Sequence, residues 1–454
     1  MARMVQAERN YQRDLGDSLV LRWSTRADAE EIVYLPGMVF RNDPADPANK
    51  SLGNLMRVVM NGQHPLMNPE DVAVVEDTRK KDHRLVAMTC LWRQYWRYED
   101  ITFPIGRPEI VATDPDYRNR GLVRAVFELV HARSEAEGHM VQAITGIPYF
   151  YRQFGYEYAL DLDATRDTYI ALIPPAPEDV SEPYRLRDAT VNDIHLIASL
   201  YDQQCASSIV STAIDEGWWR HQIEHWNEFQ ADSYWHILAI INSEGAFCGY
   251  AILPSIRRRD SIPVFDFAVM AGLNMAEIIL PVIRAILKQG EAMIAPPDAK
   301  SISKITFIMH RNHPVYEILK AEMRIQHDPP YAWYVRVPDL PAFLRAITPV
   351  LERRLAQSVL ARYSGELALA FYRGGLRMVF VEGRLHTVEN WRSPLWHSSE
   401  NAGFPPLVFL QLLFGHRSLD ELRYSYPDVW ANDDTRLVLK TLFPARASWV
   451  VPLG

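Results

Sequence analysis

The sequence predicts a mixed α+β protein of several domains, on three observations. At 454 residues the chain is too long for one hydrophobic core. Strand-like and helix-like stretches alternate along it. The segment Leu21-Arg22-Trp23-Ser24-Thr25-Arg26-Ala27-Asp28 through Ile32 also returns about 165 residues later as Leu186-Arg187-Asp188-Ala189-Thr190-Val191-Asn192-Asp193 through Ile197. Such an offset suits duplication of a whole domain rather than a short solenoid repeat.

In chain order, each copy of the repeat reads as a short strand ending in a Ser/Thr/Asp-rich turn that caps a helix. Residues 36–69 are rich in Pro, Asn and Gly and read as loop with short helical pieces. Val72 to Glu76 and Leu85 to Trp92 read as strands joined by the polar turn Asp77 to Arg84. Trp92, Tyr95, Trp96 and Tyr98 follow, either half-buried strand residues packing on a sheet or the wall of a binding pocket.

A strand over Glu109 to Thr113 then runs into Tyr117-Arg118-Asn119-Arg120-Gly121, and a helix follows with Val123, Val126, Phe127 and Val130 at helical spacing. A helix N-terminus entered through a turn offers unpaired N–H groups and a positive dipole end. Arg118, Arg120 and Arg124 add charged donors there, so the site suits a pyrophosphate; the alternative is a solvated cap with surface arginines. The helix runs to Gly138, the strand Met140 to Thr145 follows, and Phe154 to Leu160 opens the last strand pair of this domain.

The proline-rich acidic linker Pro174 to Pro183 leads into the second copy, Tyr184 to about Val337. Trp235 to Asn242 and Gly249 to Leu253 form its hairpin around Asn242-Ser243-Glu244-Gly245. Phe265 to Met270 takes the place of Glu109 to Thr113, but Ala271-Gly272-Leu273-Asn274-Met275 after it holds no arginine, so the anion site is missing. His221-Gln222-Ile223-Glu224-His225 matches a zinc-peptidase pattern, yet Trp218, Trp219 and Trp226 crowd it and no third ligand follows, so no metal site is read. His310 and His313 are placed in a turn before Pro314. The last stretch predicts a helix over Asp339 to Ala356, strands at Gly365 to Tyr372, Leu376 to Glu382 and Arg384 to Val388, and helices at Leu407 to Leu413, Leu419 to Leu422 and Asp433 to Leu442.

A net charge of −8 argues against a nucleic-acid partner and leaves room for an acidic pocket that attracts cationic amines. Cys90, Cys205 and Cys248 are odd in number and widely spaced, which is neither a disulfide framework nor a zinc pattern. Met1 to Asn10 is polar and the longest apolar runs are too short to span a bilayer, so a cytoplasmic protein without a membrane partner is expected.

Downstream of the basic turn lies Tyr151-Arg152-Gln153-Phe154-Gly155-Tyr156. The pair of motifs resembles the GNAT N-acetyltransferase superfamily, where an Arg/Gln-x-x-Gly-x-Gly/Ala loop wraps the coenzyme A pyrophosphate and a tyrosine sits beside the thioester sulfur. Here the loop reads Arg118-x-x-Gly121-x-Val123, with a bulkier last residue. RNRGLVRA followed by FYRQFGY looks most like the Eis-like (enhanced intracellular survival) branch.

The resemblance implies two tandem GNAT-like domains, 1–173 binding acetyl-CoA and 174–337 degenerate, then a small sterol-carrier-protein-like α+β domain over 338–454. It implies acetyl-CoA as co-substrate, no metal, and direct acetyl transfer to a primary amine such as an aminoglycoside, a polyamine or a lysine-like acceptor. Tyr151 would be the acid, and Val111, Ala112, Thr113, Arg118, Asn119, Arg120, Gly121, Leu122, Val123 and Arg124 would hold the coenzyme. The competing class is a non-catalytic acyl-CoA or lipid-binding protein. Homo-oligomers, hexamers in particular, are implied as well. In Eis-like proteins the terminal carboxylate serves the active site as base or anchor, which assigns that part to Gly454; the apolar end Trp449 to Leu453 reads equally as a last strand of the carboxy-terminal sheet.

Overall fold

The structure is a computed structural model that describes residues 6–176, 181–229, 231, 233–296, 298–324, 331–392 and 400–453. The first stretch holds β1 (Gln12–Gly16), β2 (Leu19–Trp23), α1 (Ala29–Val39), α2 (Lys50–Met60), β3 (Val72–Asp77), β4 (Leu85–Tyr98), β5 (Ile101–Thr113), α3 (Leu122–Ala136), β6 (Val141–Ile144), β7 (Glu157–Asp161) and β8 (Ala164–Tyr169). The middle stretch holds β9 (Tyr184–Asp188), α4 (Ile194–Cys205), β10 (Val210–Ala213), α5 (Glu216–His225), β11 (Trp235–Asn242), β12 (Phe247–Pro254), β13 (Ser261–Val264), β14 (Asp266–Val269), α6 (Met275–Ala292), β15 (Lys304–Met309), α7 (Val315–Ile318), β16 (Met323–Arg324) and β17 (Ala332–Arg336). The last holds α8 (Leu340–Ala346), α9 (Thr348–Ala356), β18 (Gly365–Ala370), β19 (Gly375–Val381), β20 (Arg384–Trp391), β21 (Ala402–Gly403), α10 (Phe409–Leu413), α11 (Leu419–Ser425), β22 (Trp430–Ala431) and α12 (Asp433–Leu442). The chain is a mixed α/β protein with several sheets.

The first sheet runs β1-β2-β3-β4-β5-β6-β17-β7, and β10 pairs with the far half of β4. Alternation along its strands builds two cores. Leu122, Val126, Phe127 and Val130 of α3 cover one face with Val75 and Ala87. Ile32, Leu55, Met56 and Val59 of α1 and α2 cover the other with Met88 and Ala112. The hairpin β4–β5 outgrows this sandwich. Its distal half carries Trp96, Tyr98 and Phe103 into a core shared with Phe343, Leu351 and Phe414 of the last stretch. At the tip Arg353, Arg354 and Arg446 converge on Glu99. Burial opposes ionisation of Glu99, but the hydrogen bonds and charges of the arginines outweigh it and hold the carboxyl below the usual range. Trp96 and Tyr98 therefore pack between units, while Tyr95 is exposed.

Two strands cross between stretches. β17 leaves the middle stretch and lies between β6 and β7, and β8 leaves the first stretch and lies between β15 and β16. Both repeats of the opening motif use one device. Thr25 and Asp28 make a capping box and Asp28 pairs with Arg22; Thr190 and Asp193 make another and Asp193 pairs with Arg187.

Several elements differ from their sequence reading. The strand expected to start at Glu109 begins at Ile101. Pro104 and Pro108 hide its first half, because proline normally argues against a strand interior. Beyond Gly106, however, β5 has no pairing with β6, so a missing N–H at Pro108 costs no bond on that side. Residues 50–60, inside the stretch read as loop with short helical pieces, form a longer helix of 11 residues, capped by the Asn49 side chain on the Leu52 N–H. The single helix expected over Asp339 to Ala356 is two, breaking at Ile347 before Pro349, whose ring cannot continue an α-helix. His310 and His313 do sit in a turn before Pro314, closed by the His313 N–H on the His310 carbonyl at 2.9 Å, and the His313 ring is buried there with its nitrogen 2.8 Å from the Phe267 carbonyl. Part of the linker expected over 174–183 lies outside the described residues. No described helix is long and apolar enough to cross a membrane.

Candidate active site

The site is where β5 and β6 separate. The two strands are parallel and pair only at Ile105↔Val141 and Gly106↔Gln142, so from Arg107 onward the edge of β5 faces an opening. An open strand edge can accept an extended ligand through its backbone. Along that edge β5 is bulged: Met88 pairs with Ala112 and Cys90 with Glu109, leaving Ile110 and Val111 opposite Thr89 alone. Ile110 has φ +53°, a left-handed value that a β-branched residue seldom adopts. The bulge turns Val111 and Thr113 to one side, where they line a cavity of about 600 Å³ with Arg118, Gly121, Leu122, Val123 and Arg124 at one end and Tyr151 at the other.

The basic end is built by the turn before α3. Asn119 (φ +63°) and Gly121 (φ +76°) are both left-handed, and only glycine takes that conformation without steric cost. The first intrahelical bond runs from the Ala125 N–H to the Gly121 carbonyl, so the N–H groups of Gly121 to Arg124 have no helical partner. The turn is pinned to β3 by Tyr117, whose hydroxyl donates to Asp77 at 2.7 Å. Arg124 packs over the Phe154 ring and donates to Gln153 at 3.2 Å. The Arg118 guanidinium has no hydrogen bond or ion pair with a described side chain, and the Thr113 hydroxyl is buried without a partner. A cationic helix start with a free guanidinium and an orphaned hydroxyl farther in fits a phosphate-bearing ligand with a polar arm.

Tyr151 lies in the 3-10 turn Phe150–Phe154, buried to 4% exposure. Its ring stacks on Phe127 at 5.7 Å and meets Tyr334 edge-on at 5.3 Å. Burial, with the Glu109 charge second, pushes its phenol above the ordinary range, so it stays protonated at neutral pH. Glu109 is held by Arg107, a buried guanidinium between the Trp92 and Trp333 rings. Arg107 and Gln94 donate to the Leu453 carbonyl at 2.9 and 3.1 Å. The chain end thus runs beside β10, where Trp449 bridges to Ser211, and arrives at β4 and β5 rather than joining the carboxy-terminal sheet. Gly454 lies outside the described residues.

The cavity gathers Val111, Thr113, Arg118, Asn119, Gly121, Leu122, Val123, Arg124 and Tyr151. Two of the expected residues stand apart. Ala112 faces the opposite core by strand alternation. Arg120 stacks over the Tyr117 ring at 4.8 Å and donates back to the Asp116 carbonyl. Sequence reasoning did not find the Ile110 bulge, nor Tyr334 of β17 and Tyr331 just before it, about 180 residues downstream of Tyr151. In the middle unit His221 meets the Tyr234 hydroxyl and His225 meets Glu228; among the described residues no group of three His, Cys, Asp or Glu is arranged to hold a metal.

Residues 21–159 match the model of the acetyltransferase (GNAT) domain. No curated protein matches the chain by sequence. Among solved structures, a GCN5-related N-acetyltransferase from Kribbella flavida superposes with a TM-score of 0.63 at 16% identity, covering 96% of this chain and 100% of that one. A conserved Enterococcus faecalis protein of unknown function, described as a probable N-acyltransferase, gives 0.65 at 12% identity over 96% and 99%. Eis1 from Mycobacterium abscessus gives 0.58 at 14% identity over 95% and 99%. At these identities the structures speak for the fold, and the matched domain gives the enzyme class: an acyl-CoA-dependent acetyltransferase.

Proposed function

Starting from an acyl-CoA-dependent acetyltransferase domain, we propose that the chain moves an acetyl group from acetyl-CoA to a primary amine by direct attack. One observation carries this reading: a single cavity joins the Arg118–Gly121–Arg124 helix start to a bulged, unpaired strand edge and to the Tyr151 phenol. Gly121 to Arg124 receive the pyrophosphate on their N–H groups, and Arg118 and Arg124 add charge. The open β5 edge around Val111 to Thr113 bonds the extended arm and polarises the thioester carbonyl. The amine must first lose a proton, because an ammonium has no lone pair. Its nitrogen then attacks the carbonyl carbon, the carbon–sulfur bond breaks and the departing thiolate takes a proton from Tyr151, which the proton shed by the nitrogen on becoming an amide restores through solvent.

The Gly454 carboxylate is proposed as the base or as an anchor for the amine, supported by the hold of Gln94 and Arg107 on the preceding carbonyl. A net charge of −8 favours a cationic acceptor, an aminoglycoside, polyamine or lysine-like amine. On the same reading the middle unit is a degenerate GNAT-like copy, supported by its repeated capping device and its arginine-free turn at 271–275. The last unit is taken as sterol-carrier-protein-like, supported by its order of strands and helices. A homo-oligomeric, hexameric assembly in the cytoplasm completes the proposal.

The test is thiol release from acetyl-CoA with a panel of such amines. Amine-dependent release supports transfer; tight coenzyme binding with no release under any amine shows a binding protein instead.

A further inference from the structure

The turn that leads into Tyr151 is held from outside by the strand that the middle unit lends to the first sheet. Tyr334 of β17 stands opposite Ile144 of β6 on one side and Tyr158 of β7 on the other. Its hydroxyl is 3.0 Å from the Ile147 carbonyl and 2.7 Å from the Tyr158 hydroxyl, which in turn lies 3.1 Å from the Tyr149 N–H. Each phenol has one proton to donate. The Ile147 carbonyl can only accept, so Tyr334 donates there; Tyr158 then donates to Tyr334 and accepts from Tyr149. The chain has one direction, from the N–H of residue 149 to the carbonyl of residue 147, and it closes on the turn itself. Tyr331 adds a second tie, its hydroxyl donating to the Gly146 carbonyl.

The turn needs holding. Gly146 has φ +127° and Tyr149 φ +59°, two left-handed residues within four positions. A left-handed non-glycine costs roughly 1–2 kcal/mol and persists only where its surroundings impose it. Tyr149 directly precedes the 3-10 turn that carries Tyr151. The Tyr151 hydroxyl faces Gly146, so closely that a Cβ there would sit 3.6 Å from it. A shift of this turn is therefore a shift in where the phenol points.

Resting on the acetyl-transfer reading, we propose that Tyr334 is a positioning residue: through the Ile147 carbonyl and its own ring it sets the aim of the Tyr151 hydroxyl, so the site is complete only with the middle unit's strand in place. The hydrogen bonds and ring contacts of Tyr334 go to the Tyr151 turn and Tyr158 and none to residues 118–124, so coenzyme affinity and turnover respond separately to loss of its hydroxyl.

The experiment compares the full chain with Tyr334→Phe, which keeps the ring and removes the proton, and with Val335→Ala. Val335 neighbours Tyr334 but faces the core shared with the last unit, so it reports simple weakening of the strand. Expected for Tyr334→Phe is a kcat for amine-dependent thiol release about tenfold lower, the scale of one lost positioning hydrogen bond. The KM for acetyl-CoA stays within about twofold and amide exchange speeds up at residues 147–150. Val335→Ala lowers the melting temperature and leaves kcat at moderate temperature unchanged. Parental kcat in Tyr334→Phe overturns the proposal. So does a loss in which kcat and melting temperature fall while KM rises, as in a general weakening. A parent protein that releases no thiol with any amine refutes the acetyl-transfer reading and the positioning role with it; an active parent with an unaffected variant refutes the positioning role alone.

Discussion

Truncating the arginines of the α3 turn one at a time separates an anion site from a merely basic helix cap. Arg118 is exposed, lines the cavity and has no partner among the described side chains, so Arg118→Ala removes a donor without orphaning another group. A hydrogen bond to a charged group contributes about 1.5–3 kcal/mol. Solvent exposure places this one near the lower end, about 1.5 kcal/mol, or roughly a tenfold rise in the dissociation constant of coenzyme A. Arg120, although beside it in sequence, stacks on Tyr117 away from the cavity, and Arg120→Ala should change the constant by no more than about twofold. Calorimetric titration of coenzyme A at low salt measures both, and raising the salt should narrow the gap as the charges are screened. Equal losses for Arg118→Ala and Arg120→Ala would show general surface charge at work and refute the geometry.

Four further outcomes are expected. Tyr151→Phe should lower kcat about a hundredfold while calorimetry finds the same affinity for acetyl-CoA, the scale of a lost general acid. Calorimetric stoichiometry should be one coenzyme per chain, because the turn before α6 at residues 271–275 carries no arginine; two per chain would restore a second site. Burial pushes the Asp266 carboxyl up to about 6 despite hydrogen bonds from Tyr250, the Phe267 N–H and Gln204; nearby, Tyr201 and Cys205 are pushed up and stay neutral, and His313, pushed down to about 4, titrates alike in parent and variant. A raised folded-state pKa gives stability that is full below the unfolded value of about 4 and lost as pH rises through about 6, so the parent should lose about 3 kcal/mol relative to Asp266→Asn between about pH 3 and pH 7 in urea unfolding. Glu99→Gln leaves Arg353, Arg354 and Arg446 facing one another at the hairpin tip and should cost about 2 kcal/mol in the same assay; an unchanged midpoint would mean the tip is not anchored by charge.

The basic turn before α3 was legible in the sequence because its signals are local. A left-handed glycine, flanking arginines and an amphipathic helix lie within one short run, and the structure joins most of the named residues in one cavity. The repeated capping boxes at Thr25–Asp28 and Thr190–Asp193 were legible for the same reason. Non-local pairings were not. The strand over residues 332–336 was not read at all, and no local pattern says that it pairs between β6 and β7 and brings Tyr334 to Tyr151. The Ile110 bulge also escaped, since its positive φ is imposed by register against β4 and not by residue type. Adjacency in a motif does not place neighbouring side chains on one surface: the Arg120 side chain stacks on Tyr117 and the Ala112 side chain turns to the opposite core, while the Ala112 backbone stays on the β5 edge.

The central claim, that one cavity holds coenzyme A from its pyrophosphate to its thiol, is tested most directly by a crystal structure of the protein grown with coenzyme A. The account predicts density with the pyrophosphate against the N–H groups of Gly121 to Arg124, the pantetheine arm along the β5 edge at Val111 to Thr113, and the sulfur beside the Tyr151 hydroxyl. Coenzyme density elsewhere on the chain, or an arm running away from Tyr151, would contradict it.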